Sequence, residues 1–119
     1  LVSVLPDTPD TTKLLDHDVF TAMKPTALLI NAGRANVIDD EALIEALVSR
    51  TLAAAVLDVF RQEPLPASHP FWSTPGLIIT SHTAAVTLPR DVVPIFVDNF
   101  ERLCRNAPLN YLIDRDRGY

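Results

Sequence analysis

Four short apolar runs alternate with helical patterns along this chain, and that alternation constrains its fold more than any other feature. Residues 1–5, Leu-Val-Ser-Val-Leu, read as a strand closed by Pro6-Asp7-Thr8-Pro9. Ala27 to Asn31 is a continuous apolar run, the pattern of a strand buried on both faces. Ala54 to Phe60 is the third run and Leu77 to Thr80 the fourth. Asp16 to Met23 reads as a short helix with Val19, Phe20 and Met23 on one face, stopped by Pro25. A second helix starts near Asp39 and Asp40, whose carboxylates suit the free amides and positive end of a helix. Leu43, Ile44, Leu47 and Val48 form its apolar stripe. A proline-rich loop, Glu63 to Pro75, leads to the fourth strand. A long helix follows from about Pro89 to Cys104, with Val92, Val93, Phe96, Phe100, Leu103 and Cys104 at helical spacing. Pro94 within it predicts a later start or a kink. Strand–helix alternation with short loops predicts an α/β fold: a parallel sheet with right-handed crossovers.

The 119 residues suit one domain or part of one. A net charge of −5 without a basic tract argues against nucleic acid and anionic membrane surfaces. No apolar run approaches the roughly 18 residues of a membrane span. The single Cys104 excludes an internal disulfide and fits a reducing cytoplasm. The first residue has no basic leader before it and already lies inside an apolar run, so a fragment of a longer protein is expected.

Three polar groups follow three of these runs. Arg34 comes after Leu28-Leu29-Ile30-Asn31-Ala32-Gly33, Glu63 after Val56-Leu57-Asp58-Val59-Phe60-Arg61-Gln62, and His82 after Leu77-Ile78-Ile79-Thr80-Ser81. The carboxyl ends of parallel strands are where open α/β sheets place their chemistry. A guanidinium offers paired donors to a carboxylate and stabilises charge developing on a carbonyl, although a surface arginine in a loop has the same sequence signature. An imidazole exchanges protons near neutral pH, and a capping or half-buried histidine is the plainer alternative for His82. Glu63 gains meaning if it holds that imidazole in one tautomer; alone it is a loop glutamate before proline. Asp58 closes the third strand among apolar neighbours and needs donors, from a ligand amide or from backbone N–H groups. His17, beside Asp16 and Asp18, and His69, in the proline-rich loop, read as solvated. There is no metal-ligand spacing, P-loop, G-x-S-x-G elbow or G-x-G-x-x-G loop.

Taken in order, these blocks resemble the D-isomer-specific 2-hydroxyacid dehydrogenases. Ile30-Asn31-Ala32-Gly33-Arg34, the helix opening Val37 to Leu43, Leu57-Asp58-Val59-Phe60-Arg61-Gln62-Glu63-Pro64 and Ile79-Thr80-Ser81-His82-Thr83-Ala84-Ala85 each look like a block of that family. Leu5 to Thr12 is similar to its Leu-Pro-x-Thr-x-x-Thr turn, and the ending from Ile113 looks most like its bacterial glyoxylate/hydroxypyruvate reductase branch of the A type. The resemblance implies the second half of a Rossmann-like dinucleotide-binding domain in residues 1–100. Residues 101–119 would return to a substrate domain. It implies NAD(P)H as cofactor, a small 2-oxo or 2-hydroxy acid as substrate, a missing N-terminal half as partner, and a homodimeric parent. Arg34 would bind the substrate, His82 would supply the proton and Glu63 would orient it. Asp58 would contact the nicotinamide carboxamide, with Leu5, Pro6, Ala32 and Ala84 lining the cofactor. The family usually has glycine after the arginine, where this chain has Ala35. If that glycine takes positive φ, Ala35 carries a strain of roughly 1–2 kcal/mol. Two other readings stand beside the enzymatic one: a half-domain without activity of its own, and a non-catalytic dinucleotide sensor.

Overall fold

The computed structural model describes residues 1–118; Tyr119, the last residue of the expected returning segment, lies outside them. The chain forms two compact units, one of Leu1–Ala84 and one that begins at Ala85.

The first unit is built on a parallel four-stranded sheet in the order β1 (Val2–Ser3), β2 (Leu28–Asn31), β3 (Ala54–Leu57) and β4 (Leu77–Ile79). The register carries one row of apolar residues across all four strands: Val2 opposite Ile30, Ile30 opposite Val56, and Val56 opposite Ile78. Helix α1 (His17–Ala22) lies between β1 and β2 in the chain, and α2 (Asp40–Val48) between β2 and β3. Both send side chains into one core, where Phe20 of α1 and Leu43, Ala46 and Leu47 of α2 join Leu29, Ala55 and Leu57 of the sheet.

That arrangement corrects two expectations. The second strand is not buried on both faces. Leu29 and Asn31 are fully buried, whereas Leu28 is 55% and Ile30 38% exposed, because α1 and α2 cover the same side of the sheet. The apolar stripe of α2 also runs differently. Leu43, Ala46 and Leu47 share the buried face at i, i+3 and i+4, and Val48, one residue further round, is exposed.

The start of α2 is as expected for Asp39 but not for Asp40, whose carboxylate faces Arg61 instead of the free amides. Asp39 caps the helix, its Oδ1 accepting from the N–H groups of Glu41 at 3.1 Å and Ala42 at 3.3 Å. Lys13 Nζ sits 2.8 Å from Asp39 Oδ2. The Lys13 ammonium first, and the Ala42 amide next, hold the Asp39 carboxyl below its ordinary value against the opposing effect of burial. Replacing Asp39 by Ala is expected to cost about 1 kcal/mol of stability at neutral pH. The sign of the pH dependence follows. A folded-state pKa below the unfolded one stabilises fully above the ordinary carboxylate range and is lost as pH falls through the lower value. Urea titrations should therefore show the gap between wild type and Asp39→Ala closing in acid; a gap independent of pH would exclude the charged cap.

In the second unit, α3 spans Pro89–Cys104 and runs through Pro94 without a later start. Pro89 occupies the first helical position, where its missing N–H costs nothing. Pro94 lies in the second turn and removes one interior hydrogen bond. The expected helical spacing is present, but none of the residues of α3 is buried. Among the described residues, no helix is long and apolar enough to cross a membrane.

Candidate active site

The carboxyl ends of β1 to β4 lie side by side, and each residue to which the resemblance assigns a site role follows one of them. Leu5 and Pro6 follow β1. Ala32 follows β2 and is tied to β1 by its N–H, which donates to the Ser3 carbonyl at 3.0 Å.

Arg34 is set by a turn that Asn31 builds. The buried Asn31 side chain accepts from the Gly33 N–H at 3.1 Å and donates from Nδ2 to the Arg34 carbonyl at 3.0 Å, closing β2 in a compact side-chain turn. The Arg34 backbone is extended, its guanidinium is exposed, and its Nη1 donates to the Gly33 carbonyl at 2.9 Å. Among the described residues Arg34 has no carboxylate partner within ion-pair distance. Strain at Ala35 does not arise. That residue has no positive φ and opens a 3-10 turn, Ala35–Val37. The crowded position is Gly33, where a Cβ would stand 2.6 Å from the Leu5 carbonyl oxygen.

Glu63 and His82 are brought together. Glu63 Oε1 accepts from the Phe60 N–H at 2.8 Å, which folds the loop after β3 back on itself. Its Oε2 lies 2.8 Å from His82 Nδ1. The imidazole first, and the Phe60 amide next, hold the Glu63 carboxyl below its usual range. An ionised carboxylate only accepts hydrogen bonds, so Nδ1 carries the hydrogen and Nε2 is the nitrogen free for proton transfer. Both residues border a cavity of about 460 Å³ walled by Phe60, Leu65, Trp72 and Ile79.

His82 holds a left-handed backbone, with φ at 56°. For a residue with a Cβ this costs about 1–2 kcal/mol, and such strain gathers at functional sites. The surroundings compensate it. The His82 N–H donates to the Asp58 carbonyl at 2.8 Å. The Asp58 carboxylate, buried at the end of β3, accepts from the Thr80 hydroxyl and the Thr83 N–H (3.0 Å) on Oδ1, and from the Ala84 N–H (2.8 Å) on Oδ2. Burial raises its pKa, but these three donors outweigh burial and bring it below the ordinary value.

The sequence reading passed over two residues. Thr80 was counted only as the end of a strand, and its hydroxyl reaches Asp58 across the two strand ends. Arg61 was only a spacer before Glu63. Its Nη2 donates to the Ile38 carbonyl at 2.6 Å and its Nε stands 3.4 Å from Asp40 Oδ2, linking the Glu63 loop to the start of α2. Of the other histidines, His17 is exposed. His69 is not simply solvated: it is half-buried, caps the Pro70–Ser73 turn by accepting from the Phe71 N–H at 3.3 Å, and packs on the Phe71 ring.

A parallel sheet with its polar groups gathered at the carboxyl edge is the arrangement in which open α/β domains bind their ligands. Residues 1–84 match the family described as D-isomer specific 2-hydroxyacid dehydrogenase, NAD binding domain, and the chain belongs to that family. The glyoxylate/hydroxypyruvate reductase A of Yersinia enterocolitica is 40% identical over 119 residues, all of this chain and 38% of the relative. That of Serratia proteamaculans is 48% identical over 91 residues, 76% of this chain and 29% of the relative. The chain thus spans well under half the length of these relatives. A crystal structure of a D-isomer specific 2-hydroxyacid dehydrogenase from Xanthobacter autotrophicus Py2 with NADPH and MES superposes with a TM-score of 0.92 at 38% identity, covering 99% of this chain and 49% of that one. The NADPH-dependent glyoxylate/hydroxypyruvate reductase of Sinorhizobium meliloti, with NADP and sulfate, gives 0.90 at 32% identity, covering 100% and 39%.

Proposed function

We propose that this chain supplies the catalytic edge of an NAD(P)H-dependent reductase of small 2-oxo acids, of the glyoxylate or hydroxypyruvate kind. The observation that carries the reading is the Glu63–His82 pair at 2.8 Å on a sheet edge that also presents the Arg34 guanidinium, which has no carboxylate partner among the described residues. The relatives named above are called glyoxylate/hydroxypyruvate reductases, which supports the same substrate class.

The residues present fit the nicotinamide end of the cofactor. Asp58 Oδ2 accepts a single hydrogen bond from the chain and retains acceptor capacity for a carboxamide N–H. Leu5, Pro6, Ala32 and Ala84, small or apolar residues that follow β1, β2 and β4, are assigned to the cofactor's surface. No G-x-G-x-x-G occurs in the chain, so the phosphate grip belongs to an N-terminal half. When bound, the reduced nicotinamide supplies a hydride to the carbonyl carbon. Arg34 holds the substrate carboxylate and stabilises the charge developing on the carbonyl oxygen. His82, doubly protonated, gives that oxygen its proton from Nε2, and Glu63 steadies the imidazolium through Nδ1. We place the NAD(P)-binding part in residues 1–100 and assign 101–119 to contact with a substrate domain. The full-length enzyme is read as a cytoplasmic homodimer.

In the full-length enzyme, NADPH and NADH consumption should follow added glyoxylate or hydroxypyruvate and not acetaldehyde, which has the carbonyl without the carboxylate. Arg34→Gln should lower kcat/KM for glyoxylate by about 10–100-fold, the loss of a charge-assisted pair. Equal rates on acetaldehyde, or an unaffected Arg34→Gln enzyme, would remove the reading.

A further inference from the structure

We propose that Thr80 and Asp58 form a clamp that positions the His82 imidazole, Thr80 acting through the Asp58 carboxylate. The inference rests on the reading of His82 as proton donor and names positioning residues for it. Four bonds converge from Asp58 on one five-residue turn: its carbonyl accepts the His82 N–H, and its carboxylate accepts the Thr80 hydroxyl and the Thr83 and Ala84 amides. The turn so held is the one in which His82 is left-handed. A left-handed residue turns its side chain away from the line an extended strand would give it, and here the new direction leads to Glu63 Oε2.

Asp58 alone cannot explain the arrangement. Its buried carboxylate, which needs donors, is met by one backbone amide on each oxygen, and both amides come from residues after His82. The Thr80 hydroxyl completes Oδ1 from the strand side of the turn, so that the carboxylate is gripped both before and after His82. Thr80 is anchored in turn, because its N–H donates to the Leu57 carbonyl at 3.0 Å and continues the β3–β4 ladder. The clamp therefore refers the imidazole to the rigid sheet instead of to the loop that bears it. Glu63 reaches the same ring from the other loop, after β3, and its own aim is set by the Phe60 amide. Two separately anchored loops must agree for the 2.8 Å contact to form. A donor that is aimed in advance loses no reorganisation at the moment of transfer.

The test uses the full-length enzyme, without cofactor or substrate. Thr80→Val removes the hydroxyl at constant shape, and Thr80→Ser keeps it. Nitrogen NMR of the His82 ring reads the tautomer directly. In wild type and Thr80→Ser the Nδ1–H form should dominate. In Thr80→Val the ring should drift towards a solvent-averaged mixture, and exchange of the His82, Thr83 and Ala84 amides should quicken about tenfold, as for one lost hydrogen bond. The Ala55 amide, within the sheet, should keep its protection and so report an intact core. Should Thr80→Val disturb the core, Asp58→Asn, which turns a donor towards these amides, carries the same test. Retention of the Nδ1–H signature in the variant with an intact core overturns the proposal. So does a Thr80→Ser ring as mixed as that of Thr80→Val. The signature needs no turnover, so it can fail while reductase activity stands, and activity can be absent while the clamp is present.

Discussion

Replacing His82 by Gln in the full-length enzyme is expected to lower kcat for 2-oxo acid reduction by about 10²–10⁴-fold, the usual contribution of a positioned proton donor. Glutamine can still hydrogen-bond a carbonyl, but it cannot give up a proton near neutral pH. KM for the oxo acid should change little, because the role proposed for Arg34, holding the substrate carboxylate, is left intact. Glu63→Gln should cost less. It keeps an oxygen acceptor for Nδ1, which Glu63 meets at 2.8 Å, but loses the charge proposed to steady the imidazolium. Steady-state rates of NADPH oxidation on glyoxylate measure all three enzymes. A His82→Gln enzyme with undiminished kcat would take the proton from another group, and the Glu63–His82 contact would then be structural. The left-handed φ of His82 makes a second use of the same variant. Histidine is among the residues enriched in that backbone and glutamine is not, so a loss of stability within the roughly 1–2 kcal/mol of a left-handed residue should accompany the larger loss of rate.

How far such residues can be read from sequence depends on whether their partners are local. The strands were readable because a parallel sheet writes itself as short apolar runs, and the cores of all four runs are strands. The Asp39 cap was readable for the same reason, since its partners are two and three residues away. Glu63 and His82 lie 19 residues apart, and their pairing was suggested by residue chemistry and block order; only the fold supplies the 2.8 Å contact. What stayed hidden depends on where elements lie in space. Nothing in Leu28-Leu29-Ile30 says that both helices choose one face of the sheet, so the exposure of Leu28 was not foreseen. Thr80 looks like any strand-ending threonine until Asp58 is placed beside it. The steric constraint in this turn lies two residues before Ala35, at Gly33. The resemblance drew attention to a missing glycine, whereas the steric demand falls on the glycine that is present.

That demand gives the largest expected effect on stability. A methyl group added at Gly33 would stand 2.6 Å from the Leu5 oxygen, 2.7 Å from the Leu5 nitrogen and 2.7 Å from the Val4 carbonyl carbon. All three are backbone atoms, so no side-chain rotation relieves the contact. The Gly33 φ is not the difficulty, since only Gly76 and Gly118 among the described glycines have positive φ. Something must move, and the contact falls between the ends of β1 and β2. Here β1 is a two-residue strand whose bonds to β2 include Ile30 N–H to the Leu1 carbonyl at 2.9 Å and Ala32 N–H to the Ser3 carbonyl at 3.0 Å. Overpacking of this kind costs about 1–3 kcal/mol. For Gly33→Ala that corresponds to a lowering of Tm by about 4–8 °C for each kcal/mol lost in a domain of this size. Circular dichroism of the 119-residue chain during heating measures it, and a Tm equal to wild type would mean that β1 is not held against Gly33. The same shift reaches the site. Leu5 and Pro6 follow β1 directly, and Arg34 follows Gly33, so parting the two strand ends separates the surface proposed for the nicotinamide from the guanidinium proposed for the substrate. Gly33→Ala should therefore weaken cofactor use and 2-oxo acid reduction together in the full-length enzyme, a coupling that no change confined to Arg34 would produce.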